Sequence, residues 1–385
     1  MTMSRSFIIA GSVLVPLLVG LAAMPAVGAV TRPALPSPDS IVINRGVVEL
    51  ETGSSAGISV RIAEDLANVI NDGATRRVVP VVGKGSLANL TDLKLLHGID
   101  IAILQTDTLD YAREQQLFPG VEASITYITK LYNEEFHLLA RPEINSVGDL
   151  ANQKVNVDLR DSGTAITARR LFDLLKLPVT LTNDPPEVAL EKLRNGEITA
   201  LAFVAGKPAP FFRDIKRDDG LHLLAVPFNA VMAAGYMPAR LTAADYPNLV
   251  PQSGPIDTVG VGTVLVAANL QQAPERNRSV ANFVEAFFTG FQSLLEPGHH
   301  PKWREVNLGA ELPGWHRYPP AEQWLQRKQV SKVPNPSEVM TMFARFVDER
   351  RQSMGGAPMT EQEKSDLFQQ YQRCLLYTSP SPRDS

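Results

Sequence analysis

The sequence predicts an α/β protein of two lobes with a cleft between them. Short β-branched runs alternate with helical apolar stripes, and this alternation occurs twice along the chain. The strand-to-helix junctions carry small hydroxylic or amide residues, with no obvious catalytic set among them.

In the first half, Ile41–Glu51 reads as a strand, or as two short ones divided at Gly46. Ala56–Asn71 carries Ile58, Ile62, Leu66, Val69 and Ile70 at helical spacing. Arg77–Val82 is a second strand, and Ser86–Leu96 a helix with Leu87, Leu90, Leu93 and Leu96 on its apolar side. Ile99–Leu104 and Thr106–Gln116 are a third strand and helix. The second half repeats the pattern. Phe136–Ala140 is a strand, Ser146 and Asp149 have the spacing of an N-cap and a first-turn acid, and Lys154–Asp158 is a strand. Ser162–Leu175 and Pro186–Arg194 are helices, the latter closed by Asn195-Gly196. Ile198–Val204, Leu221–Pro227 and Thr258–Ala267 are strands, and Ser279–Leu295 is a long helix. Trp303–Val330 is rich in Trp, Pro and Tyr and is expected to pack over a lobe, before a last helix at Pro336–Arg351.

The two ends of the chain are unlike its middle. Arg5, an apolar run from Phe7 to Ala23 and the small residues ending Val27-Gly28-Ala29 have the order of an export signal, with cleavage expected after Ala29 and a periplasmic destination. The run is interrupted by Gly11, Pro16 and Gly20 and is short for a membrane span. Thr31–Ser40, with three prolines, reads as an exposed leader. Cys374 to Asp384 resembles the in-frame translation of a transposase-type sequencing-library adapter. Residues 374–385 are therefore expected to be an assembly artefact, a reading that resequencing the locus tests. The single cysteine, Cys374, falls in that stretch, so no disulfide framework or thiolate chemistry is expected. With 37 basic and 41 acidic residues, a formal net charge of −4 and no basic block, nucleic acid is not an expected partner.

The candidate chemistry sits at four junctions: Thr52 to Gly57, Gly83 to Leu87, Leu104 to Asp107 and Asp158 to Thr164. In an open α/β sheet such junctions lie at the carboxyl ends of strands, where ligands bind. Helix starts offer unpaired N–H groups and a partial positive charge, glycines let the backbone approach, and Ser or Thr add donors. Ser54, Ser55, Gly57, Ser86, Gln105, Arg160, Ser162, Gly163 and Thr164 are the candidates this gives. Arg160 could clamp a carboxylate, or pair with Asp158 or Asp161 on the loop surface. Gly53 to Gly57 also fits G-x-S-x-G, with Ser55 as a hydrolase nucleophile, but it follows the first strand and no late Asp and His pair accompanies it. His299, His300 and His316 lack an acidic ligand at matching spacing, so no metal or cofactor is expected.

Taken in order, several stretches resemble the TAXI-type solute-binding subunits of TRAP transporters. They are Thr52 to Ser59, Gly85 to Leu96, Asp100-Ile-Ala-Ile-Leu-Gln-Thr-Asp107, Leu131 to Arg141 (which adds Tyr132 to the candidates) and Ser146 to Ala168. The similarity runs from Val47 to Leu295. It departs from the family at Ile58-Ser59, where an aromatic is usual, and at Asp158 to Asp161, where a Gly- and Pro-containing loop is usual. The resemblance implies a periplasmic-binding-protein fold of the second type, with two hinge crossings near Lys130–Glu135 and Gly235–Thr242. It implies lobe 1 from 41–130 and 240–300, lobe 2 from 131–239, and a packing extension at 301–373. It further implies a monomer without catalysis that delivers a glutamate-like or dicarboxylate solute to a TRAP membrane permease. The alternative is the binding protein of an ABC importer for aromatic or sulfonated ligands.

Overall fold

The computed structural model describes residues 45–328 except 74, 271 and 272. The export signal, the leader, the start of the Ile41–Glu51 strand, the Pro336–Arg351 helix and the 374–385 segment lie outside the described residues.

In chain order, β1 (Val47–Thr52), α1 (Ser59–Ile70), β2 (Arg77–Val82), α2 (Ser86–Leu95), β3 (Ile101–Gln105) and α3 (Thr106–Glu114) follow the predicted alternation. A single turn, α4 (Val121–Ser124), leads into the long strand β4 (Ile125–Ala140). The second half runs β5 (Lys154–Asn156), α5 (Gly163–Leu174), β6 (Thr180–Thr182), α6 (Pro186–Arg194), β7 (Ala200–Ala205), β8 (His222–Leu223), β9 (Met237–Leu241) and β10 (Ile256–Ala268). Then come α7 (Pro274–Gly290), 3₁₀ turns at Phe291–Leu295 and Pro301–Glu305, and α8 (Pro319–Lys328).

All ten strands form one sheet in the order β2-β1-β3-β10-β4-β7-β5-β6, with β9 on β10 and β8 on β4. The order is palindromic. Each half holds a parallel triplet, β2-β1-β3 or β6-β5-β7, flanked by a long antiparallel strand. The two long strands pair with each other from Ile125–Ala268 to Glu135–Gly260, with register shifts between Gly262 and Val264 and between Leu265 and Val266. Bulges of this kind bend a strand where it must serve two directions. The chain therefore passes between halves inside β4 and again inside β10 near Gly260–Thr263. This corrects the second crossing expected at Gly235–Thr242. Met237–Leu241 is instead β9, paired to the Ile256–Gly260 end of β10, and Leu241, Tyr246, Leu249 and Val250 pack with second-half residues such as Leu139 and Leu201.

Cores lie on both faces of the sheet. The helical stripe of α1 buries Ile62, Leu66 and Ile70 beside β1 and β3, where α7 adds Phe283, Phe287 and Phe288. Each such side chain is worth about 1.5–3 kcal/mol relative to exposure. Trp303, Tyr318 and Trp324 complete this cluster, so much of the Trp-rich segment is core. Trp303 is held in place as well as buried: its Nε1–H donates to Asp65 Oδ2 at 3.0 Å. On the second half, Ser146 and Asp149 form the expected capping box, and Ser162 caps α5 by accepting from the Ala165 N–H at 3.1 Å. No helix among the described residues is long and apolar enough to cross a membrane.

Candidate functional site

The parallel strands of both halves end toward the middle of the molecule, and their junctions enclose a small cavity of about 60 Å³. The first half contributes Gly53, Ser54, Gly57 and Ser59 after β1, Lys84, Gly85 and Ser86 after β2, and Gln105 at the end of β3. The second half contributes Asp158, Ser162, Gly163 and Thr164 before and at the start of α5, with Phe203 and Val204 of β7. Glu134 of β4 and Thr263 of β10 form the floor, at the point where both strands pass between halves.

Of the residues singled out from sequence, Ser54, Gly57, Ser86, Gln105, Ser162, Gly163 and Thr164 are brought together here. Ser55 is exposed, Arg160 is exposed, and Tyr132 is fully buried in the first-half core; none of the three lines the cavity. The histidine bonds run elsewhere than Ser55. His137 reaches Phe203 O and Tyr246 OH, His222 reaches Ile144 O, and His300 Nδ1 accepts from the Lys302 N–H.

The hydroxyls work first on the wall. Ser59 Oγ accepts from the Gly53 N–H at 2.9 Å, and Ser86 Oγ from the Gln105 N–H at 2.8 Å. Thr164 Oγ1 accepts from the Val204 N–H at 3.0 Å. Each oxygen accepts one bond from the wall and keeps its own proton and a second lone pair. The starts of α1 and α2 have no side-chain cap, and of the first-turn N–H groups of α2 that of Ala88 is taken by Asp161 O. Glycine is required at two close approaches. A Cβ on Gly85, whose φ is +127°, would lie 2.9 Å from the Ser162 Cα across the cleft, and one on Gly163 would lie 1.9 Å from Gln105 Oε1.

The halves touch directly around the cavity. The Ala88 N–H donates to Asp161 O at 3.1 Å. Asp107 Oδ2, in the first turn of α3, accepts from Thr167 of α5 at 2.7 Å and from Tyr236 at 2.9 Å. Arg170 of α5 grips Glu114 of α3 with both guanidinium nitrogens, at 2.7 and 3.2 Å.

Sequence reasoning missed the acids of this site. Glu134 is buried, its Oε2 accepting from Gln105 Nε2 at 2.6 Å, and burial pushes its carboxyl up to about 7. Asp158 is buried too, with φ +62°, and burial pushes it up to about 6 against the hydrogen bonds from Leu159 and Ser162. The signal was present: two consecutive glutamates in a run of apolar strand residues are costly to bury without a reason. A second, larger cavity of about 460 Å³ lies beyond the Gln105–Thr106 turn, lined by α3, α5 and the loops 231–237 and 312–314. It also reaches Lys130 of β4 and Gly262 of β10, whereas the smaller cavity collects the ends of the parallel strands from both halves.

The chain is similar to several solved structures. Periplasmic binding protein BugD shares 12% identity, covering 74% of this chain and 94% of that one, with a TM-score of 0.45. The substrate binding protein of an amino acid ABC transporter shares 12%, covering 65% and 97%, with a TM-score of 0.40. An ancestral arginine-binding protein bound to glutamine shares 12%, covering 68% and 97%, at 0.40. A family model matches residues 50–292, a span that holds every residue lining the small cavity, and on that match the chain belongs to the NMT1-like family.

Proposed function

We propose that the protein is an extracytoplasmic solute-binding protein, without catalysis of its own, that captures a small carboxylate-bearing solute and delivers it to a TRAP-type membrane permease. The observation that carries this reading is the convergence of helix starts and hydroxyls on one small cavity between two halves of a shared sheet. Uncapped first-turn N–H groups of α1 and α2, and those of Gly163 and Thr164 on α5, suit a carboxylate without a buried lysine or arginine. Ser54, Gly57, Ser86, Gln105, Ser162, Gly163 and Thr164 are the proposed contacts. The motif series from Thr52 to Ala168 supports the TRAP assignment, and the order of residues 5–29 supports export with cleavage after Ala29.

Thermal-shift screening of the purified chain against small acids and amino acids tests the binding role, because a solute that binds only the folded state raises its melting temperature. At least one member should stabilise the protein by several degrees. Labelling of Ser55 by a fluorophosphonate, lost in Ser55→Ala, would overturn the reading in favour of a hydrolase. A permease gene without an ATPase beside this gene agrees with TRAP delivery; an ATPase there assigns the protein to an ABC importer.

A further inference from the structure

Glu134 and Glu135 are neighbours on β4, and strand alternation sends them to opposite faces. Glu135 is neutralised: Lys302 Nζ lies 2.6 Å from its Oε1, and the Lys207 N–H donates to its Oε2 at 2.9 Å. Glu134 accepts from the neutral Gln105 amide and stands beside the neutral Tyr132 phenol, and among the described residues no lysine or arginine is its ion-pair partner. Its carboxyl faces the small cavity, where Asp158 stands on the opposite half, and the one lining cation, Lys84, is exposed. The other titratable groups around Glu134 come from several elements. They are Glu135 and the Tyr132 phenol on its own strand, Lys302 in the 3₁₀ turn and Asp107 at the start of α3. A buried carboxylate without a cation is a costly arrangement unless a partner arrives from outside.

We propose that the cleft selects a solute carrying a protonated nitrogen, which pairs with Glu134 while the carboxylate of the same solute lies at the helix starts. This deepens the solute-binding reading above and rests on it. Gln105 presents a donor to Glu134 and so favours its ionised form, and Asp158 adds a second acceptor facing the same nitrogen. Burial holds the Glu134 proton up to about pH 7 in the protein alone, so the arriving cation should drive that proton off. Capture is then coupled to proton release.

The experiment compares matched solutes on the full chain: L-alanine with L-lactate, 4-aminobutyrate with 4-hydroxybutyrate, and L-glutamate with L-2-hydroxyglutarate. Each pair keeps the carboxylates and exchanges an amine for a hydroxyl. The amino member of at least one pair should bind tenfold or more tightly than its partner. Calorimetry near pH 6.5 in buffers of different ionisation enthalpy should show release of a fraction of a proton. In Glu134→Gln the amine preference should collapse to within threefold. Equal affinities within every binding pair, a preference for the hydroxy member, proton uptake, or an amine preference that survives Glu134→Gln each overturns the inference and leaves solute binding standing. No binding by any of the six, together with no hit in the wider screen, overturns the solute-binding reading itself.

Discussion

His137 shows what burial asks of a single polar side chain in this fold. Its ring is fully buried among Phe212, Phe203 and Tyr246, and burial lowers its pKa to about 3, so it stays neutral. Nδ1 faces Phe203 O at 3.2 Å, and a carbonyl only accepts, so the proton sits on Nδ1 and Nε2 accepts from Tyr246 OH at 2.8 Å. The same phenol oxygen accepts from the Ala209 N–H at 2.8 Å. Tyr246→Phe should therefore strand two buried groups and cost about 1–3 kcal/mol, read from the urea midpoint at unchanged slope. Lys302 gives a sharper test. Lys302→Met leaves Glu135 buried without its cation and should cost about 3–5 kcal/mol, while adding Glu135→Gln should recover most of the loss. A double variant as unstable as the single would show that Lys302 acts through packing. For Glu134 the sign follows from its raised pKa: the unfolded chain releases this proton near 4.5, the folded protein only near 7. Stability from that group is complete below the first value and is lost as pH rises through the second. The melting temperature of Glu134→Gln relative to wild type should thus climb from pH 5 to pH 8. A flat difference would mean that the carboxyl titrates normally.

At the scale of elements, periodicity made the helices and parallel strands legible. Arg77–Val82 and Pro186–Arg194 fall where their patterns put them, and the ends of α1, α2, α3 and α5 differ from expectation by three residues or fewer. The long strands were read short. Phe136–Ala140 was legible, but β4 begins at Ile125, because Thr126, Thr129, Lys130, Asn133 and the glutamates break the apolar run that a buried strand normally shows. Some of these positions find partners: Thr129 Oγ1 donates to Lys130 O at 3.1 Å, and the Asn133 backbone N–H donates to the distant Glu305 Oε2 at 3.1 Å. β6, β9 and α8 were missed, the first two because they are short pieces defined by pairing. The candidate site was half legible for a related reason. Glycines and hydroxyls at junctions announce themselves locally, whereas Glu134 and Thr263 reach the cavity only because β4 and β10 pair across long sequence separation. Arg160, placed by sequence next to the site, is carried outward by the turn that precedes α5.

For the whole molecule, the two halves are joined by the strands that pass between them, and glycine stands where their junction loops meet. Gly85 sits at φ +127° with Ser162 opposite, so Gly85→Ala is both strained and obstructed. The obstruction is backbone, which cannot swing aside as a side-chain tip can. Small-angle scattering should give Gly85→Ala a larger radius of gyration than wild type, and a solute that stabilises wild type should stabilise the variant far less. An unchanged radius would show that the rims do not set the opening.

The palindromic strand order also bears on how the chain is made. Everything the second triplet needs, from β4 to β7, is contiguous in sequence, whereas β3 waits for β10 at its open edge until the whole second half has been synthesised. Local pairings form early and distant ones late, because loop closure must come before the contacts that reward it. Pulse-labelled hydrogen exchange during refolding should protect amides of β5 and β7 before those of β3, and the unpaired β3 edge is where a newborn chain is most prone to aggregate. A chain of this design benefits from a holding chaperone for as long as its last long strand is missing.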